Sequence, residues 1–262
     1  LTMQPWLWLM VPMAERKKTP KKKAAPKKRS PRKTQRSKIA QAWRKLCRVV
    51  WGACFAALGL VLLATLIYAV VPPPITPYML NERSRVGSVK YEWTPMEQIA
   101  PVMARSAVAA EDANFCLHWG LDVDAIRDAM DRGRGGASTI SQQVIKNAYL
   151  WHGRSWLRKA MEALWTPLSE AVWTKRRILE IYLNIAEFDE GVFGVQAAAR
   201  HYFGVDAADL SATQAARLAA ILPAPKSRSA SNPSPYVRQR TSAIISGART
   251  IAADGRADCF EN

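Results

Sequence analysis

A carboxylate closes the apolar run 101–110: Glu111, followed by Asp112, Phe115, His118, Trp119 and Gly120. Aromatic neighbours such as Phe115 and Trp119 raise a carboxyl pKa towards working pH, which suits a general acid or base; a helix-end acid without a chemical role fits the local pattern as well. Downstream, Gly135 and Gly136 precede Ser138, Thr139, Gln142, Gln143, Lys146 and Asn147. Glycines let backbone approach a ligand, and a helix starting at Ser138 places Ser138, Gln142 and Lys146 on one face at i, i+4, i+8. Thr139 and Gln143 make an adjacent pair. Hydroxyls, amides and an ammonium serve a sugar-phosphate ligand, and a helix start adds its dipole. A plain solvated helix face is the alternative. Arg154, Arg158 and Glu162 also step by four, with Lys159 beside them. Such a face either grips phosphate or forms an intrahelical ion pair worth roughly 0.3 kcal/mol. A fourth block, Lys175 to Asn184 with Gly191–Gly194 and Tyr202-Phe203-Gly204 after it, is rich in apolar residues and reads as core packing.

These groups need rigid elements to hold them. Ala100-Pro101 fits an N-cap and first helical position, Ser211-x-x-Gln214 is a capping box ahead of residues 215–222, and Ser234-Pro235 opens a helix to about Ala253 with Gly255 beyond it. Alternating strand patterns are scarce and no internal repeat is visible. Pro167 lies one turn after Glu162, where its ring clashes with the carbonyl of Ala163, so a bend is expected in the segment 156–173.

The 262 residues carry 38 Lys+Arg against 21 Asp+Glu, a net charge of +17. Nearly all of the excess lies between Met13 and Arg48, with 16 bases and one acid, and the 214 residues after it are close to neutral. The basicity is a tail, which argues against a nucleic-acid-reading domain. Val49 to Val71 holds 23 residues without a charge, long enough as a helix to cross a bilayer. Seven Lys/Arg lie in 31–48 and two in 72–89, which places the tail in the cytoplasm and the body outside. The organisation expected is a disordered basic cytoplasmic tail over 1–48, a transmembrane helix over 49–71, a linker or extended entry segment over 72–94 and a periplasmic domain over 95–262. Residues 1–12 read as upstream sequence, with translation expected to start at Met13. Cys47, Cys54, Cys116 and Cys259 form no C-x-x-C pair, so a zinc site of the usual spacing is excluded, and free, partly buried thiols are expected.

The four blocks, in this order, resemble the peptidoglycan glycosyltransferases of glycosyltransferase family 51, whose patterns are E-D-x-x-F-x-x-H-x-G, G-x-S-T-x-x-Q-Q-x-x-K-N, R-x-x-x-R-K-x-x-E and K-x-x-I-L-E-x-Y-L-N. All four stand intact here, and the similarity covers about residues 72–250. It implies an all-α, lysozyme-like glycosyltransferase domain with a membrane-facing apolar portion, preceded by one transmembrane helix and placed at the cell inner membrane. It also implies polymerisation of lipid II into β-1,4 glycan with inversion and release of undecaprenyl pyrophosphate. No length remains after residue 262 for a transpeptidase domain, so a single-activity enzyme is expected. Carried across, Glu111 is the general base and Glu162 the second carboxylate, orienting cations or binding a divalent metal (magnesium or manganese). Lys146, Arg154, Arg158 and Lys159 hold phosphates, and Ser138, Thr139, Gln142 and Gln143 position sugar and phosphate. The partners implied are lipid II, the growing lipid-linked glycan, the membrane and other cell-wall or division proteins, with no nucleic acid.

Two rivals remain. A lysozyme-type hydrolase shares the fold class and a key Glu but has no use for the cation set, since its substrate carries no pyrophosphate. A membrane-anchored adaptor leaves the ordered polar stripes unexplained.

Overall fold

The computed structural model describes residues 31–133, 136, 138–151, 153 and 155–261. The start expected at Met13, the first thirty residues of the basic tail and the candidate Arg154 lie outside them. The chain divides into two compact units, one ending at Phe55 and the other beginning at Ala56.

The first helix, α1, spans Pro31–Tyr68. It starts well before the expected anchor, so residues 31–48 are helical where the composition implied disorder. Arg, Lys, Gln, Ala and Leu are good helix formers, and an apolar helix beside them supplies the costly nucleus. The helix stops at Tyr68 rather than Val71, three residues ahead of the triple proline. Its apolar side chains lie bare: Phe55, Leu60, Leu63 and Leu66 are all more than half exposed. Water penalises such a surface and hydrocarbon does not, so this helix fits a single-pass membrane anchor. Within the second unit, the end of α1 is held by the body. Trp165 Nε1 donates to Thr65 Oγ1 (3.3 Å) and Trp173 Nε1 to the Thr65 carbonyl (2.7 Å). Arg177 donates to the carbonyls of Tyr68 and Val71, both at 2.9 Å.

Of the two readings of residues 72–94, the structure has an ordered entry segment rather than a bare linker. Helix α2, Pro77–Val86, is capped by the Thr76 hydroxyl, which accepts from the Met79 amide, and ends at Gly87. It buries Tyr78, Met79 and Glu82 in the body. Strand β1, Lys90–Tyr91, then joins a small sheet with β2 (Glu187–Asp189) and β3 (Val192–Phe193), in the order β1-β3-β2. β1 runs parallel to β3 and β2 antiparallel to it. Two or three residues per strand are too few to show alternation, so the sequence reads as helical there.

The remaining elements are α3 (Pro101–Glu111), α4 (Val123–Asp131), α5 (Ile140–Tyr149), α6 (Trp156–Val172), α7 (Lys175–Ile185), α8 (Val195–Phe203), α9 (Ala212–Ile221), α10 (Pro235–Ala253) and α11 (Asp258–Glu261). The helix starts at Pro101 and Pro235 and the capping box of Ser211 and Gln214 stand where the sequence placed them. α7 is the axis of the core, burying Ile178, Leu179, Ile181, Tyr182, Leu183 and Ile185. Each buried Leu or Ile contributes about 1.5–3 kcal/mol. α5 packs between α6 and α7, while α3, α9 and α10 pack on one another. α6 continues through Pro167. The proline leaves the Ala163 carbonyl without its usual donor, but the Thr166 hydroxyl binds the neighbouring Glu162 carbonyl at 2.7 Å.

The fourth block is structural in detail. Asn184 ties α7 to the backbone of Thr94 on both its amide and carbonyl sides (2.7 and 2.9 Å). Gly194 has φ +83, and a Cβ there would lie 2.7 Å from the Asn184 carbonyl oxygen. Backbone cannot yield as a side chain can. Gly194→Ala should therefore cost about 2–3 kcal/mol and lower the melting temperature by roughly 5–10 °C. Unchanged melting in a thermal scan would show that this turn shifts freely.

The expectation of four free thiols is overturned. Cys116 and Cys259 form a disulfide with Cα atoms 5.8 Å apart, across 143 residues of sequence. Separation in sequence gave no hint that the chain returns to its own first motif. Cys47 and Cys54 are free.

Candidate active site

Glu111 is the last residue of α3, which ends because Asp112 leaves helical geometry (φ −161, ψ 70). The Glu111 carboxylate is mostly buried. Its Oε2 accepts from Gln143 Nε2 at 3.0 Å. Its Oε1 is buried and makes no hydrogen bond among the described residues, with Arg240 Nη2 standing 3.8 Å away. Burial raises the Glu111 pKa above the ordinary 4.5, against the opposing pull of Gln143, Arg240, Lys146 and Arg228. A buried carboxylate with one oxygen unspent can accept a proton from a ligand hydroxyl.

Asp112 fixes the start of α5. One oxygen meets His118 Nε2 at 2.8 Å, and the other accepts from the Ile140 amide at 2.9 Å. The helix begins at Ile140, two residues later than expected, with Thr139 as its N-cap. Thr139 and Gln142 form a capping box, and the Thr139 hydroxyl donates to the Gly120 carbonyl at 2.6 Å. Both side chains are buried and bonded within the chain. Ser138 stands outside the helix, so the expected stripe of Ser138, Gln142 and Lys146 does not form. Gln143 and Lys146, one turn apart, are instead the α5 residues that bear on Glu111.

Three described cations gather here. Among the described residues no hydrogen bond or ion pair engages the Lys146 ammonium, and burial with the Arg158 charge lowers its pKa. Arg158 pairs with Glu162 Oε1, and its Nε donates to the Gly153 carbonyl at 2.8 Å. Lys159 Nζ lies 3.1 Å from both Glu162 Oε2 and Ser138 Oγ. Its pKa is also lowered, first by burial and then by Arg158 and Lys146. Glu162 is buried between the two cations and fixes both. A polar cavity of about 220 Å3 is lined by Gln143, Lys146, Asn147, Tyr78 and Glu187, among others. A second cavity, of about 360 Å3 and largely apolar, is lined by Ser155, Trp156, Arg158 and Lys159.

Both Glu162 oxygens are taken by Arg158 and Lys159. Among the described residues, Asp112, His118 and Asp122 form a group close enough to share an ion. Asp112 is already bonded to His118 and Ile140, and Asp122 caps α4 through the Ala125 amide.

Sequence reasoning missed Arg240, which donates to the Ala110 carbonyl at 3.1 Å and faces Glu111 from α10. It lies far from Glu111 in sequence and within a helix rich in ordinary arginines, so no local signal marked it. It also missed the buried Glu187, which accepts from the Tyr78 hydroxyl and is approached by Lys226 at 3.4 Å.

The family model described as Transglycosylase matches residues 80–249. A biosynthetic peptidoglycan transglycosylase of Jannaschia sp. is 59% identical over 227 residues, covering 86% of this chain and 93% of the relative. Proteins of the same name from Caulobacter vibrioides (44% identical, 75% of this chain, 88% of the relative) and Pseudomonas aeruginosa (49%, 72% and 86%) are also similar.

Proposed function

This chain belongs to the transglycosylase family and acts as a peptidoglycan glycosyltransferase; from that premise we propose that it polymerises lipid II with inversion at the sugar carbon. Glu111 takes the proton of the acceptor 4-hydroxyl as that oxygen attacks the anomeric carbon of the lipid-linked donor. The α-linked pyrophosphate departs from the opposite face and leaves as undecaprenyl pyrophosphate, so one displacement produces a β-1,4 bond. Lys146, Arg158 and Lys159, with Arg154, take up the charge that grows on the pyrophosphate. Glu162 holds Arg158 and Lys159 in place, while Thr139 and Gln142 position the helix that presents Gln143 and Lys146. The observation that carries this reading is the buried Glu111 carboxylate with an unspent oxygen, beside an uncommitted ammonium on α5.

Exposed apolar side chains on the body suit the lipid part of the substrate. Leu117, Trp119, Trp156, Leu157 and Leu164 are all more than half exposed, an apolar exposure that lipid covers at little cost. The periplasmic orientation draws support from the charge asymmetry about α1 and from the disulfide, which forms in oxidising compartments. A C-terminal reporter that matures only under oxidising conditions should be active. Activity of a cytosol-only reporter at the same position would reverse the topology.

The test against a hydrolase uses two substrates in parallel. Purified chain should lengthen labelled lipid II and leave preformed, lipid-free glycan untouched. Shortening of the preformed glycan with lipid II unconsumed would replace the polymerase by a lytic enzyme.

A further inference from the structure

The segment that follows Glu111 is tied covalently to the segment that follows α10, the helix bearing Arg240. Non-covalent contacts line the same seam. Arg256 Nη1 donates to the Ala113 carbonyl at 3.1 Å, and Arg176 Nη1 to the Phe260 carbonyl at 2.9 Å. Arg105 pairs with Glu261 at 3.5 Å. The rings of Phe115 and Phe260, both fully buried, are 6.4 Å apart. From the other side of the segment, Asp112 and Gly120 hold the start of α5. The stretch 112–120 thus spans from the base to the helix of Gln143 and Lys146, and the Cys116–Cys259 bond closes it against the C-terminal segment.

We propose that the Cys116–Cys259 bridge is a positioning element for Glu111, so that the enzyme reaches full turnover only after these two thiols are oxidised. Closed, the bridge keeps α3 and the loop after it seated against α10 and α5, with Glu111 shielded from water. Open, the loop loosens and water reaches the carboxylate. Closure joins two sulfurs and removes two protons and two electrons, which pass to a protein disulfide that leaves as a dithiol. Both sulfurs belong to partly exposed residues, so an exchange partner can reach them. Among the described residues, the groups facing Glu111 are Gln143 and Lys146 from α5, Arg240 from α10, Arg228 from the chain ahead of it, and Tyr182 from α7. None of them is on the bridged loop, so opening the bridge changes shielding and placement rather than the set of charges.

The inference rests on Glu111 as the base, and the experiment separates the two. Full-length protein is assayed with lipid II across pH as the oxidised wild type, as the Cys116→Ser/Cys259→Ser double variant and as Glu111→Gln. Mass spectrometry after alkylation should find Cys47 and Cys54 modified and the other two protected in the wild type. The double variant should keep its helicity and its KM, lose on the order of tenfold in kcat and show its acid limb at lower pH. Superimposable kcat and acid limbs, or free thiols at both positions in the wild type, would overturn the proposal. If the double variant fails to fold, wild type reduced by a phosphine takes its place: turnover must fall with helicity kept and return on reoxidation, and undiminished turnover with alkylatable Cys116 and Cys259 counts against it. A wrong base assignment would show separately, as an acid limb that survives Glu111→Gln.

Discussion

Glu111→Gln should lower lipid II turnover by about 10² or more while lipid II binding and the fold survive. The amide keeps the shape and the contact with Gln143, but it cannot take a proton from a sugar hydroxyl, and the phosphate cations remain in place. The wild-type rate should rise with pH through the raised Glu111 pKa, because a base works only when unprotonated, so the acid limb lies above the ordinary 4.5. Stability should respond in the opposite sense. A folded pKa above the unfolded one means that the fold disfavours the ionised form, so the Glu111 contribution is present at low pH and lost as pH rises through the folded value. At pH 7 Glu111→Gln should therefore melt at or above the wild type, and the difference should vanish below the ordinary glutamate range. A variant that is slow because it is unstable would show the reverse.

Glu162→Gln should damage binding, turnover and stability together. Glu162 is buried and answers both Arg158 and Lys159, and Arg158 is itself mostly buried. Removing one partner of such a cluster leaves cationic charge uncompensated and costs about 3 kcal/mol, opposite in sign to the change at Glu111. With the two cations no longer fixed, KM should rise and kcat should fall by roughly a hundredfold, the rate equivalent of a lost charge-assisted contact of about 3 kcal/mol. Steady-state kinetics and a thermal scan of the same preparation check both. Normal melting and normal KM with turnover abolished would move the proton-accepting role from Glu111 to Glu162.

Much of this arrangement was legible in the sequence, and the parts that were not share a cause. Local signals worked: prolines and capping hydroxyls placed the starts of α3, α9 and α10, and the four-residue steps of Arg158 and Glu162 put an ion pair on one helix face. The apolar run marked the anchor. Long-range placement stayed hidden. Arg240 meets Glu111 only because α10 packs on α3, and Cys259 meets Cys116 only because the chain turns back after Ala253. Thr139 and Gln142 read as ligand groups because a capping box and a sugar site use the same side chains. Their burial decides that they build the helix start. The segment 72–94 reads locally as a linker or extended entry segment, because α2 is short and nothing local shows that Glu82 is buried against Lys226.

The most direct measurement counts undecaprenyl pyrophosphate against new glycosidic bonds when purified full-length protein is given labelled lipid II, with the glycan resolved on a gel. One pyrophosphate released per sugar linkage formed, with chains sensitive to a β-1,4-specific muramidase, is the result expected of an inverting polymerase whose base is Glu111. Lipid II left intact by folded protein, or pyrophosphate released without chain growth, would contradict it.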